Sequence, residues 1–231
     1  MARSPRLFVP GYPSHVTHRG NNRQRIFHCE GDYRFLWGCI KEATDEFQVA
    51  VNAYVFMGNH IHLLLTPGDP LAISRAMHSA SRRYAGYFNH RYERTGTLWE
   101  GRFHASLVKT DHYFLGCHRY IDQNPVRAGL VRVPELHPWS SHRFYAFGEA
   151  NPLITPHGAI ALLGESELSR RYAYQALCSR PLDDGELDII RKASRAGRPI
   201  GEEGRPMGRP PTKVPKVVPD TNLRLVPDTS S

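Results

Sequence analysis

Two apolar runs, Gln48 to Val55 and His60 to Thr66, joined through a turn at Gly58-Asn59, constrain this chain more than any other feature. Runs this close must pair antiparallel as a hairpin, because a parallel return needs a crossover of a dozen residues or more. The second run opens with His60-Ile61-His62. Alternate side chains of a strand point to opposite faces, so both imidazoles share one face while Ile61 enters the core. Two polar rings beside Leu63-Leu64-Leu65 cost free energy unless they are satisfied. A His-x-His pair is a two-point metal grip that suits Zn, Mn or Mg without selecting one. With thirteen histidines in the chain, a structural role is the plain alternative.

Around the hairpin the elements alternate. Ser14 to His18 reads as a strand ending in the basic turn Arg19-Gly20-Asn21-Asn22-Arg23-Gln24-Arg25. Asp32 is the expected N-cap of a helix to about Phe47, and Ala72 to about Tyr92 forms a long helix with Met77, Ala80, Tyr84, Tyr87 and Phe88 as its core stripe. Phe103 to Val108 reads as a strand, and Asp111 as the N-cap of a helix carrying Tyr113 and Tyr120 that stops at Asn124-Pro125. The order β-α-β-β-α-β-α predicts an α+β fold, a ferredoxin-like antiparallel sheet with helices packed on it. Residues 1–150 make the expected catalytic domain and 151–194 a small helical appendage. Residues 195–231 carry no Phe, Trp or Tyr and recurrent Pro, which predicts a disordered basic tail. Its three Gly-Arg-Pro tripeptides, at 197–199, 204–206 and 208–210, could lay arginines into a narrow minor groove, although such a tail is commonly a solvated linker.

The net charge of +8 favours a polyanionic partner, with nucleic acid the leading candidate. Cys29, Cys39, Cys117 and Cys178 are scattered without CxxC spacing, as expected for reduced thiols in a cytoplasmic protein, and no segment reads as a signal peptide or membrane span. Tyr120 and Asn124 stand one helical turn apart, placing a phenol and an amide on one face. A hydroxyl nucleophile beside a half-built metal site points to phosphoryl transfer. Tyr113, on the same helix, is the rival nucleophile, and an aromatic at helical spacing is ordinarily core. Arg19, Arg23, Arg102 and Lys109, each singly an ordinary surface charge, together border the strand and turn ends where a nucleic-acid backbone would run, and with Asn21 and Arg127 they are the candidate nucleic-acid contacts.

Five ordered segments carry a resemblance: Gly11 to Asn21, Met57-Gly58-Asn59-His60-Ile61-His62-Leu63-Leu64, Gly101-Arg102-Phe103, Tyr120-Ile121-Asp122-Gln123-Asn124-Pro125-Val126-Arg127-Ala128-Gly129-Leu130, and Trp139-Ser140-Ser141. In order and spacing they resemble the single-tyrosine HUH transposases, specifically the REP-associated tyrosine transposase branch of the insertion-sequence-200-like family, over about residues 5 to 147. One departure is visible, Gly58 standing where that family usually has proline. The resemblance implies His60 and His62 as ligands of a divalent metal, Asn124 as the third protein ligand, and Tyr120 as the nucleophile. It also implies a bacterial, nucleoid-associated enzyme acting on single-stranded DNA at hairpins or palindromic repeats, with a homodimer left open.

The chemistry follows from these parts. An uncharged His, His, Asn set with open positions suits Mg²⁺ or Mn²⁺. Attack by Tyr120 leaves a 5′-phosphotyrosine and a free 3′-hydroxyl, and because the bond energy is retained the step reverses into strand transfer. Two other classes stay open: a catalytically inactive nucleic-acid-binding module, and a metal-dependent hydrolase in which Tyr120 is a bystander.

Overall fold

The computed structural model describes residue 6 and residues 8–200. In chain order its main elements are β1 (Ser14–Arg19), α1 (Glu30–Glu46), β2 (Val49–Met57), β3 (His60–Pro67), α2 (Ala72–Arg91), β4 (His104–Leu107) and α3 (Asp111–Asp122). They are followed by α4 (Asn124–Arg127), α5 (His142–Phe147), α6 (Glu167–Ser179) and α7 (Asp184–Ala196). β2 and β3 form the expected hairpin, with Met57 opposite His60 across Gly58-Asn59. The four strands lie in the order β2-β3-β1-β4, every neighbour antiparallel, which is the ferredoxin-like arrangement.

Both faces of the sheet are covered, which is why β2 and β3 are buried almost without interruption. α1 and α2 pack on one face through Leu36, Ile40, Ala76, Ala80 and Tyr84. α3 covers the other with Phe114, Cys117 and Ile121, while α7 lies against β1 and β4, where Ser106 Oγ donates to Ala193 O at 3.0 Å. The segment expected to be an appendage therefore shares the main core: Tyr174 of α6 and Ile190 of α7 are each 1% exposed within it. Of the tail expected over 195–231, residues 195–200 are ordered and 201–231 lie outside the described residues. α7 runs to Ala196, Gly197 at φ +63° ends it, and Ile200 donates its N–H to Leu107 O with its side chain fully buried. Thus the first Gly-Arg-Pro tripeptide is a helix stop; the other two lie outside the described residues.

Two helix starts differ from expectation for one reason. α1 begins two residues before Asp32, whose Oδ2 reaches back to accept from the N–H groups of His28 (2.7 Å) and Cys29 (3.1 Å), so the carboxylate caps from the third helical position. Likewise Thr110, not Asp111, caps α3 by accepting from Tyr113 N. The chain also does not leave helical geometry at Asn124-Pro125. α3 ends at Asp122, Gln123 stays in the right-handed helical region, and α4 follows, since a proline in a first turn removes an N–H that has no helical partner anyway.

Candidate active site

The face opposite α1 and α2 holds the polar side chains. Register sets their positions: Thr17 of β1 stands opposite both His62 of β3 and His104 of β4, and Arg19 opposite His60. With α3 and α7 as walls, these strands enclose a cleft of about 510 Å³. It is lined by Thr17, Arg19, Arg23, His60, His62, Glu100, Arg102, His104, Tyr120, Asn124, Arg191, Ser194 and Arg195. Five arginines against one glutamate make it a cleft for a polyanion.

The two histidines present the same ring atom. His60 Nδ1 lies 2.6 Å from Asn59 Oδ1, an acceptor, so Nδ1 carries the proton and Nε2 keeps its lone pair. His62 Nδ1 is engaged by Thr17 Oγ1 at 3.1 Å and by His15 Nε2 at 3.0 Å, again leaving Nε2 without a protein partner among the described residues. Burial, with Arg19 adding to it, lowers the His60 pKa from 6.5 to about 4. Burial, then the neighbouring His15, His60 and arginines, take His62 well below its ordinary value. Both rings are therefore neutral near pH 7, the form that binds a cation.

α3 brings Tyr120 over this pair, its ring centroid 5.5 Å from that of His62 at 82°. Its hydroxyl makes no hydrogen bond among the described residues, whereas its carbonyl accepts from Asn124 Nδ2 (3.0 Å) and Arg127 Nη2 (3.1 Å). Arg127 Nη2 also donates to Asn124 Oδ1 at 3.0 Å, and the guanidinium carbon sits 4.5 Å from the Tyr120 ring centroid. Arg127 Nη1 is buried without a partner among the described residues.

Of the residues singled out from sequence, His60, His62, Tyr120, Asn124, Arg19, Arg23 and Arg102 line this cleft, and Arg127 packs on the nucleophile candidate. Asn21 and Lys109 are not among the lining residues; Asn21 instead donates its backbone N–H to Leu98 O. Tyr113 is half-buried against the core and does not line the cleft. The sequence reading missed His15, Thr17, His104, Arg191, Ser194 and Arg195. Alternation along His15-Val16-Thr17-His18-Arg19 would have put His15 and Thr17 on the face of Arg19, but nothing local ties residue 194 to residue 15.

A second polar cluster lies on the far side of α3. Asp122, His142 and Cys178 are fully buried, with possible ligand atoms within 4.8 Å of one another, so the group could hold an ion. Every donor there already converges on one oxygen. Asp122 Oδ2 accepts from His142 Nδ1 (2.8 Å), Tyr174 Oη (2.6 Å) and Cys178 Sγ (3.6 Å). Two residues of helix separate Asp122 from Tyr120, a rotation of about 200°, so this hub anchors α3 from behind and does not open into the cleft.

A family model described as IS200-like transposase matches residues 9–124. A solved structure of a REP-associated tyrosine transposase bound to a REP hairpin is similar at TM-score 0.53 and 24% identity, covering 67% of this chain and 92% of that one, a likeness of fold. A Deinococcus radiodurans protein suggested to be a transposase matches at TM-score 0.37 and 20% identity over 53% of this chain and 97% of that one, a level that carries no structural argument. No curated protein sequence matches the chain at a significant level. No helix among the described residues is long and apolar enough to cross a membrane.

Proposed function

Because the chain belongs to the IS200-like transposase family, we propose that it nicks and rejoins single-stranded DNA through a covalent 5′-phosphotyrosine on Tyr120, at a divalent-metal site held by His60, His62 and Asn124. The observation that carries this reading is a phenol with no hydrogen bond among the described residues, 5.5 Å in ring separation from His62, inside an arginine-walled cleft. Tyr120 is only 8% exposed, yet its hydroxyl is not among the buried unpartnered atoms and the side chain lines the cleft, so the phenol is open to a ligand there.

The donor set fits Mg²⁺ or Mn²⁺: two neutral imidazoles with free Nε2 atoms and an amide oxygen already oriented by Arg127. When bound, such an ion supplies Lewis-acid polarisation of the scissile phosphate. The rest belongs to the chain's own residues. Tyr120 Oη attacks phosphorus and passes its proton to water in the cleft, the P–O3′ bond breaks, and the departing 3′ oxygen takes up a proton from water. Arg127, cationic at neutral pH although burial lowers its pKa, lies with its guanidinium carbon 4.5 Å from the Tyr120 ring centroid and offsets the charge developing on the phenol. Arg19, Arg23 and Arg102 hold the flanking backbone phosphates. A walled cleft of about 510 Å³ on a small sheet admits an unstacked strand more readily than a phosphate held within a duplex. The hairpin held by the REP-associated relative of similar fold supports a target beside a DNA hairpin.

Labelled single-stranded DNA and Mg²⁺ test this directly. The wild type is expected to form a protein-DNA adduct that retains DNA 3′ of the nick, and Tyr120→Phe to form none while staying folded, since the hydroxyl has no partner to lose among the described residues. Cleavage without attachment would replace this reading with a hydrolase. Absence of any cleavage by the wild type would leave a binding module.

A further inference from the structure

The face that carries His60 and His62 holds another histidine. His15, 1% exposed on β1, has Nε2 3.0 Å from His62 Nδ1 and Nδ1 2.9 Å from Ser194 Oγ on α7. The two rings lie within 6° of parallel with centroids 5.1 Å apart, so with that nitrogen separation they meet edge to edge. Each neutral imidazole carries one ring proton, which leaves two arrangements of the chain. In one, His62 Nδ1–H donates to His15 Nε2, His15 Nδ1–H donates to Ser194 Oγ, and His62 Nε2 shows a lone pair to the cleft. In the other, every proton is reversed and His62 presents Nε2–H, which cannot ligate.

We infer that His15 and Ser194 are positioning residues that hold His62 in the tautomer able to bind a divalent cation, so that α7 completes the metal site from outside the family-matched segment 9–124. The ligating arrangement engages both nitrogens of His15 and Nδ1 of His62, with Ser194 Oγ as its terminal acceptor, and leaves only His62 Nε2 for a cation. Removing that acceptor orphans a buried N–H, a group proteins rarely leave unpaired, and favours the reversed arrangement, in which only an acceptor goes unused. Thr17 Oγ1, 3.1 Å from His62 Nδ1, accepts or donates equally well and so does not choose between them. Such partners behind a ligating histidine set its orientation and basicity, and losing one weakens metal binding by roughly 10- to 100-fold.

This inference rests on the metal reading above, and Mn²⁺ titration of the full-length protein without DNA separates the two. Wild type is expected to bind Mn²⁺, His62→Ala to lose it, Ser194→Ala and His15→Phe to bind roughly 10- to 100-fold more weakly, and His15→Gln, which keeps an acceptor, to recover part of the loss. Nitrogen-15 NMR of the metal-free protein should show His62 protonated on Nδ1 in wild type and moved toward Nε2 in Ser194→Ala, a readout that a merely structural role would not change. Ser194→Ala keeps the test available if His15→Phe does not fold. If wild type binds no Mn²⁺, or His62→Ala binds equally, the metal reading falls and this inference with it. If binding needs His62 but folded Ser194→Ala matches wild type in affinity and tautomer, the inference alone is overturned.

Discussion

Lowering the pH from 7 to 5 should destabilise this fold through histidines buried in the neutral form, and His118 isolates the effect because it lies away from the cleft. Its ring on α3 is fully buried, with Nδ1 3.2 Å from Tyr174 Oη and Nε2 without a partner among the described residues. Tyr174 gives its proton to Asp122 Oδ2 at 2.6 Å, so His118 Nδ1–H donates to the phenol oxygen. Protonating Nε2 would therefore place a charge against Phe114, Tyr145 and Tyr174 with no acceptor. Burial lowers the pKa from 6.5 to about 4, against a partial upward pull from Asp122. Between those values the unfolded chain binds a proton that the folded chain does not, so stability is full above 6.5 and lost as pH falls toward about 4. At pH 5 the loss from this one group is about 2 kcal/mol. Urea unfolding of wild type and His118→Leu at pH 7 and pH 5 measures it, because the substitution's own cost cancels in the difference between the two pH values. The variant should lose about 2 kcal/mol less than wild type on acidification. His15 and His18, each also lowered to about 4 mainly by burial, keep the wild-type slope of the same sign. Identical pH dependence in the two proteins would refute the reasoning.

Gly58→Pro should raise stability by about 0.4–1 kcal/mol by restricting the unfolded chain. Gly58 has no positive φ, a Cβ there meets nothing within 4 Å, and its N–H makes no turn or loop hydrogen bond among the described residues. A lowered melting temperature would count against it. Asp122→Leu should cost about 3–5 kcal/mol in urea unfolding, because it strands the donors of His142 and Tyr174 in the core. A change under about 1 kcal/mol would mean that the hub contributes no more than an ordinary hydrogen bond. Arg191→Ala with Arg195→Ala should reduce the slope of log affinity for single-stranded DNA against log salt by about 0.7 for each phosphate that is no longer neutralised, and an unchanged slope would place the strand elsewhere than along α7.

Periodicity along the chain carried the β-α-β-β-α-β-α order, the hairpin about Gly58-Asn59 and the common face of His60 and His62. Each of these is a local consequence of a period of two or of 3.6 residues acting on neighbouring side chains. Helix boundaries were less legible. A carboxylate at the third helical position and one at the cap produce similar sequence, and only the backbone shows that Asp32 reaches back to Cys29 while Thr110 precedes Asp111. Least legible was everything that joins distant segments. That α7 lies on the sheet face bearing His62, brings Ser194 to His15 across 179 residues and adds Arg191 and Arg195 to the cleft depends on which surface α1 and α2 leave uncovered. The apolar stripe of Leu187, Ile190 and Ala193 states only that α7 must bury one side. Which side of which partner it meets is settled by packing, where hydrophobic burial is non-directional and shape decides the match.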